Sequence, residues 1–119
     1  MNNVTLMSPT KYTVLNIGDH SPWGEIETVT YLMDGVTEVQ TASHGGVHVD
    51  PQLLYRVPIR WRLSRVKPQA SETCPWFEED MDWVMVAKVF PAAFRVEERR
   101  TARDLFRDFV RLKTFKVAM

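Results

Sequence analysis

The sequence predicts an α+β fold: an antiparallel sheet built on a hairpin over residues 25–42, with a C-terminal amphipathic helix packed on it. Three observations carry that expectation. The first is Asp34-Gly35, a hairpin dipeptide between two alternating stretches, "EIETVTYLM" and "VTEVQTA". In the outgoing stretch Ile26, Thr28, Thr30 and Leu32 oppose Glu25, Glu27, Val29 and Tyr31, and in the return Val36, Glu38, Gln40 and Ala42 oppose Thr37, Val39 and Thr41. The second is the run after Thr101. There Ala102, Leu105, Phe106, Phe109, Val110 and Lys113 recur at helical spacing, with charge on the opposite side. The third is size and composition. With 119 residues, 45% hydrophobic and 25% charged, the chain can bury a core without staples and reads as a single domain, 1–119.

The other elements follow in order. Residues 1–10 are polar and expected to fray. "YTVLNI", residues 12–17, is β-branched enough for a strand, and "GDHSPWG" after it is a turn. Asp50-Pro51 predicts an N-cap followed by proline in the first turn of a short helix that stops before Pro58. In "IRWRLSRV" Ile59, Trp61 and Leu63 alternate with Arg60, Arg62 and Ser64, which predicts an edge strand. "KPQASETCP" is a surface loop. Over residues 78–90 helix and strand compete. Glu78, Glu79 and Asp80 favour a helix N-terminus, while Val84, Val86 and Val89 favour a buried strand. Length and Pro91 tilt the reading to helix. Thr101 with Asp104 resembles a capping box for the last helix, with Asp in place of Glu or Gln.

Charge and cysteine content bound the setting. A single cysteine, Cys74, permits no internal disulfide and fits a reducing compartment. No apolar run reaches the ~18 residues a membrane span needs. The first 20 residues have no basic start followed by an apolar core, so a cytoplasmic protein is expected. Net charge is zero, yet residues 1–55 hold one basic and six acidic residues, a net of −5, and residues 56–119 carry +5. Such polarity bears on partners rather than on fold, and a second copy of the chain is among the candidates.

Four groups of residues could carry chemistry. His44 and His48 have the spacing of two ligands in a helical His-Glu-x-x-His motif, but Gly45-Gly46 between them opposes a helix. In an extended segment residues four apart lie about 13 Å from each other, too far to share an ion. The glycines are therefore read as shaping a loop, with Trp23, His44, Gly45 and Gly46 as a loop surface. The acids Glu78, Glu79, Asp80 and Asp82 could ligate Mg²⁺ or move protons, but a helix start explains them, and they are taken as an acidic docking patch. Cys74 lacks the context of a nucleophile. Arg99, Arg103, Arg107 and Arg111 fall at i+4 steps on the last helix and form a basic ridge, partly neutralised by Asp104 and Asp108. Direct nucleic-acid binding through that ridge is the weaker expectation, since the net charge is zero. Trp23, Trp61, Trp76 and Trp83 serve mostly as core, with one or two available to anchor an interface. No cofactor, metal ion or catalytic residue is assigned.

Taken together, these stretches resemble an uncharacterised domain family carried by phages, plasmids and other bacterial mobile elements. The resemblance rests on "SPWG" (21–24) with "ETVT" behind it, on "TASHGG" (41–46) and on "WFEEDMDWVMVAKVFP" (76–91), in the same order over about three quarters of the chain. Family members often carry a cysteine where Met81 stands, so thiol chemistry from that position is unavailable here. The resemblance implies a mobile-element accessory protein with no established activity. By analogy of origin, the expected function is a non-enzymatic interaction protein, anti-CRISPR-like, that blocks a host protein or ribonucleoprotein complex by occupying its surface. The alternative is a small hydrolase or transferase using His44, His48 and Glu79 or Asp80. It requires the histidine stretch and the acidic segment to converge in one pocket.

Overall fold

The protein is described by a computed structural model covering residues 12–118, with side chains through Asp108. A small hairpin of β1 (His20–Ser21) and β2 (Gly24–Glu25) precedes a four-stranded antiparallel sheet. The sheet runs β3 (Thr28–Met33), β4 (Val36–Gln40), β5 (Gly45–Val49) and β6 (Trp76–Glu78), neighbour to neighbour in chain order. Between β5 and β6 lie two short helices, α1 (Pro51–Leu54) and α2 (Ile59–Leu63). After β6 come α3 (Trp83–Val89), a 3-10 turn (Pro91–Ala93) and the long α4 (Val96–Ala118). The architecture is α+β, as the sequence predicts.

The hairpin at Asp34-Gly35 forms as expected, with Gly35 at a φ of 81°. Cross-strand partners share a face, and the register sorts the sheet into two. One face carries Val36 opposite Val49 and Val47 opposite Phe77. It packs on Val84, Met85, Val86 and Ala87 of α3, on Phe90 and Phe94, and on Ala102 of α4. Each Val, Met or Phe among them contributes about 1.5–3 kcal/mol when fully buried. The other face carries Thr37, His48 and Trp76 in one row and Val39, Gly46 and Glu78 in the next. That second face positions the candidate site.

Asp50 caps α1 as expected, its carboxylate accepting from Gln52 N–H at 2.9 Å. The same carboxylate accepts from Thr13 N–H at 2.6 Å. Residues 12–17 form no strand and do not join the sheet, which corrects the expected strand. The expected turn over 18–24 contains the β1–β2 hairpin.

Three further expectations are corrected. Gly45 and Gly46 do not bend a loop; both are in β5 and neither has a positive φ. Residues 59–63 are helix rather than edge strand. The turn is set by Pro58, whose carbonyl accepts from Trp61 and Arg62, and Trp61 packs on Phe106 of α4 with ring centroids 4.8 Å apart. Finally, α4 begins at Val96 rather than Thr101. Glu98 reaches back to accept from Arg95 N–H at 2.8 Å, a capping contact that leaves Thr101 and Asp104 inside the helix. Over residues 78–90 both readings hold in part, because the strand ends at Glu78 and the helix starts at Trp83.

Candidate functional site

The register between β5 and β6 sets Glu78 directly opposite Gly46. Gly46 has no side chain, and Trp23 from the β1–β2 turn lies in the space a Cβ would need. His44 stands just before β5, at the end of a turn closed by Thr41. The Thr41 hydroxyl donates to the His44 carbonyl at 2.7 Å and accepts from His44 N–H at 3.1 Å. Thr41 also reaches the Trp23 carbonyl at 3.3 Å, so one hydroxyl ties both segments together.

These placements bring imidazole and carboxylates into contact. His44 Nε2 lies 2.6 Å from Glu78 Oε2, and His44 Nδ1 lies 3.4 Å from Glu79 Oε2. Glu78 is buried and its other oxygen accepts from Met81 N–H at 3.2 Å. Asp80 completes the group: donor atoms of His44, Glu78 and Asp80 all lie within 4.8 Å of one another. The hydrogen bond from Glu78 holds the His44 imidazole above its ordinary pKa, with the charges of Glu78, Glu79 and Asp80 adding to the effect against partial burial. Trp23 meets the imidazole edge-on, with ring centroids 5.9 Å apart.

The group borders a hollow of about 360 Å³. Trp23, His44, Glu78 and Asp80 form one side; Lys67, Gln69 and Met81 contribute to the rest. Next to the wall at Val66–Gln69 stands buried Arg65, whose guanidinium donates to the carbonyls of Arg62 (2.9 Å), Cys74 (2.7 Å), Trp76 (2.8 Å) and Ser71 (2.7 Å). The same guanidinium lies over the Phe77 ring, 4.4 Å from its centroid. A second hollow of about 380 Å³ lies toward the helices and is lined by Glu38, Glu79, Glu97 and Glu98 beside Trp83 and Phe94. Burial, then the charges of Glu98 and Glu79, raise the pKa of Glu38 there. That second hollow gathers carboxylates with no imidazole beside them, so the His44 hollow is the better candidate for chemistry.

Of the residues singled out from sequence, Trp23, His44, Gly46, Glu78, Glu79 and Asp80 meet here. His48 does not. Its ring packs on Trp76 with centroids 4.7 Å apart, it is buried, and burial holds its pKa below the ordinary value. Nor do the four acids form one exposed patch. Glu78 and Asp82 are only 6% and 1% exposed. Asp82 accepts from Val66 N–H at 3.1 Å, and burial raises its pKa. Gly45 sits under the Gln40 side chain. Cys74 is a partly buried free thiol whose backbone belongs to the loop Arg65 organises.

On α4 the arginine ridge is divided. Arg99 donates to the Phe94 carbonyl at 2.5 Å, Arg107 contacts Asp104 at 3.4 Å, and Arg103 is exposed. The side chain of Arg111 lies outside the described residues. Thr41, Arg65, Lys67 and Gln69 were missed from sequence. The Thr-x-x-His spacing of a hydroxyl-closed turn is the one signal that could have flagged the first of them.

Among the described residues no helix is long and apolar enough to cross a membrane. No curated protein and no solved structure matches the chain. Residues 16–112 match a domain family of unknown function, DUF7007, and span every segment that builds the hollow, from Trp23 to Met81; the chain belongs to that family.

Proposed function

We propose that this chain is a small hydrolase or transferase whose reacting centre is the hollow bordered by Trp23, His44, Glu78 and Asp80. The observation that carries the reading is the 2.6 Å contact between His44 Nε2 and buried Glu78, set at the edge of a hollow large enough for a small substrate. The contact holds the imidazole at the edge of the hollow, where His44 can pass a proton to a substrate or water and take one back. Glu79 stands 3.4 Å from the second ring nitrogen, on the far side of the imidazole. Asp80 is exposed and presents its carboxylate to the incoming molecule. His48, part of the catalytic set expected from sequence, has no role in this version.

The test is turnover of p-nitrophenyl acetate, p-nitrophenyl phosphate and bis(p-nitrophenyl) phosphate by the purified chain. At least one should be hydrolysed, with the rate falling about 100-fold or more in His44→Gln and Glu78→Gln while the circular dichroism spectrum is unchanged. Equal rates in wild type and His44→Gln, or no turnover of any of the three, would refute it.

A second reading follows the resemblance to mobile-element proteins: an anti-CRISPR-like inhibitor that binds a host defence complex. Its support is the exposed arginines Arg100, Arg103 and Arg107 on α4. The acids play little part in it, because Glu78 and Asp82 are buried. Gel filtration with a purified defence ribonucleoprotein should show co-elution that is lost in Arg100→Glu/Arg103→Glu. Retention of the complex by that variant removes the arginine face from consideration.

A further inference from the structure

We infer that His44, Glu78 and Asp80 form a binding site for a first-row divalent cation, Mn²⁺, Fe²⁺ or Zn²⁺, with Glu79 orienting the imidazole from its far side. Ions of this class take imidazole and carboxylate donors at about 2.0–2.2 Å, so donors sharing one ion lie at most about 4.4 Å apart. The three donors already lie within 4.8 Å of one another. Asp80 is exposed, and rotation of its side chain closes the difference. His44 Nε2 and Glu78 Oε2 touch at 2.6 Å, so an ion entering between them must part them to the roughly 3 Å or more that two ligands of one ion keep. Glu78 is held by Met81 N–H on one oxygen, which leaves the other facing His44.

The surroundings match what a ligating histidine requires. Such a residue presents one ring nitrogen to the ion and gives the other to a carboxylate. His44 turns Nε2 toward Glu78, and Nδ1 lies 3.4 Å from Glu79. Thr41 clamps its backbone and Trp23 packs on its edge, so the ring is set before any ion arrives. Around the hollow three carboxylates stand against one cation, Lys67, and the balance is negative. A donor set of one nitrogen and two carboxylates selects first-row ions over Mg²⁺ and Ca²⁺, which favour all-oxygen sites. Three protein donors leave coordination positions free for water or substrate.

The inference rests on the hydrolase reading for the ion's part in turnover and changes one role in it: with an ion bound, His44 and Glu78 serve as ligands instead of handling the proton; ion binding itself is measured without activity. The experiment is titration calorimetry of the metal-stripped full chain with MnCl₂ and with ZnCl₂, supported by the electron paramagnetic resonance of Mn²⁺. One ion per chain is expected at micromolar affinity, with Mg²⁺ and Ca²⁺ at least about tenfold weaker. His44→Gln and Asp80→Asn should each weaken binding about tenfold or more, and Glu79→Gln about tenfold, with His20→Gln unchanged. Because Glu78 is buried and its substitution can unfold the chain, exposed Asp80 carries the test. No saturable binding up to about 1 mM, or affinity unchanged in both His44→Gln and Asp80→Asn, overturns the site. Ion binding without turnover of the three nitrophenyl substrates upholds the site and refutes only the hydrolase reading. Turnover that survives removal of every ion, with no binding measured, refutes the ion and leaves the His44–Glu78 contact as the reacting centre.

Discussion

A Cβ at position 46 would meet both the Trp23 ring and the backbone carbonyl of Phe77, whereas one at position 45 would meet only the Gln40 side chain, at 2.6 Å. The two glycines therefore answer differently to the same change. Gly46→Ala should cost about 1–3 kcal/mol by denaturant unfolding, since neither an indole packed against His44 and Trp76 nor a ladder carbonyl can move aside cheaply. Gly45→Ala should cost less, because Gln40 is exposed and can swing away. Buried His48 gives a second prediction. Burial keeps its imidazole below its ordinary pKa, with the Asp50 charge acting the other way. Between that lowered value and about 6.5 the unfolded chain binds more protons than the folded one, so this group's share of stability is full above the window and is lost as pH falls through it. Stability of His48→Gln should therefore decline less than that of wild type between about pH 7.5 and pH 5.5 in urea unfolding.

The elements differ in how plainly the sequence announces them. Asp34-Gly35 and Asp50-Pro51 act locally, and both the hairpin and the α1 cap follow from them. Ile59–Leu63 is too short to display a helical period, and its alternation fits a strand equally well. Pro58 and the docking of Trp61 on Phe106 decide the matter, and the latter is a contact between distant segments. The start of α4 was hidden for a different reason. Its capping contact comes from Arg95 and Glu98, while Thr101 and Asp104 mimic a cap one turn later. Loss of the contact in Glu98→Ala should lower stability by about 1 kcal/mol. Asp50→Ala should cost more, about 2 kcal/mol, because that carboxylate serves both Gln52 and Thr13. The hollow was legible only in pieces. "SPWG", "TASHGG" and "WFEED" were each visible, but their meeting depends on the pairing of Gly46 with Glu78, a register that no local pattern encodes.

At the scale of the whole molecule, the acidic first half supplies most of the sheet and the basic second half supplies α3, α4 and the last strand. The arginines of α4 and the His44 hollow are separate features, so each can be altered alone. Arg100→Glu/Arg103→Glu should leave any nitrophenyl turnover within about twofold of wild type, since surface charges act weakly at a distance in salt. Arg65 joins distant parts of the chain more tightly. Its one guanidinium gathers four carbonyls from residues 62 to 76, and Arg65→Met would strand them at a cost of about 3 kcal/mol or more. A survey of substitutions scored by activity alone would then rank position 65 beside position 44. Melting temperature would separate them, because one lesion collapses a wall and the other silences a ring that still stands in place.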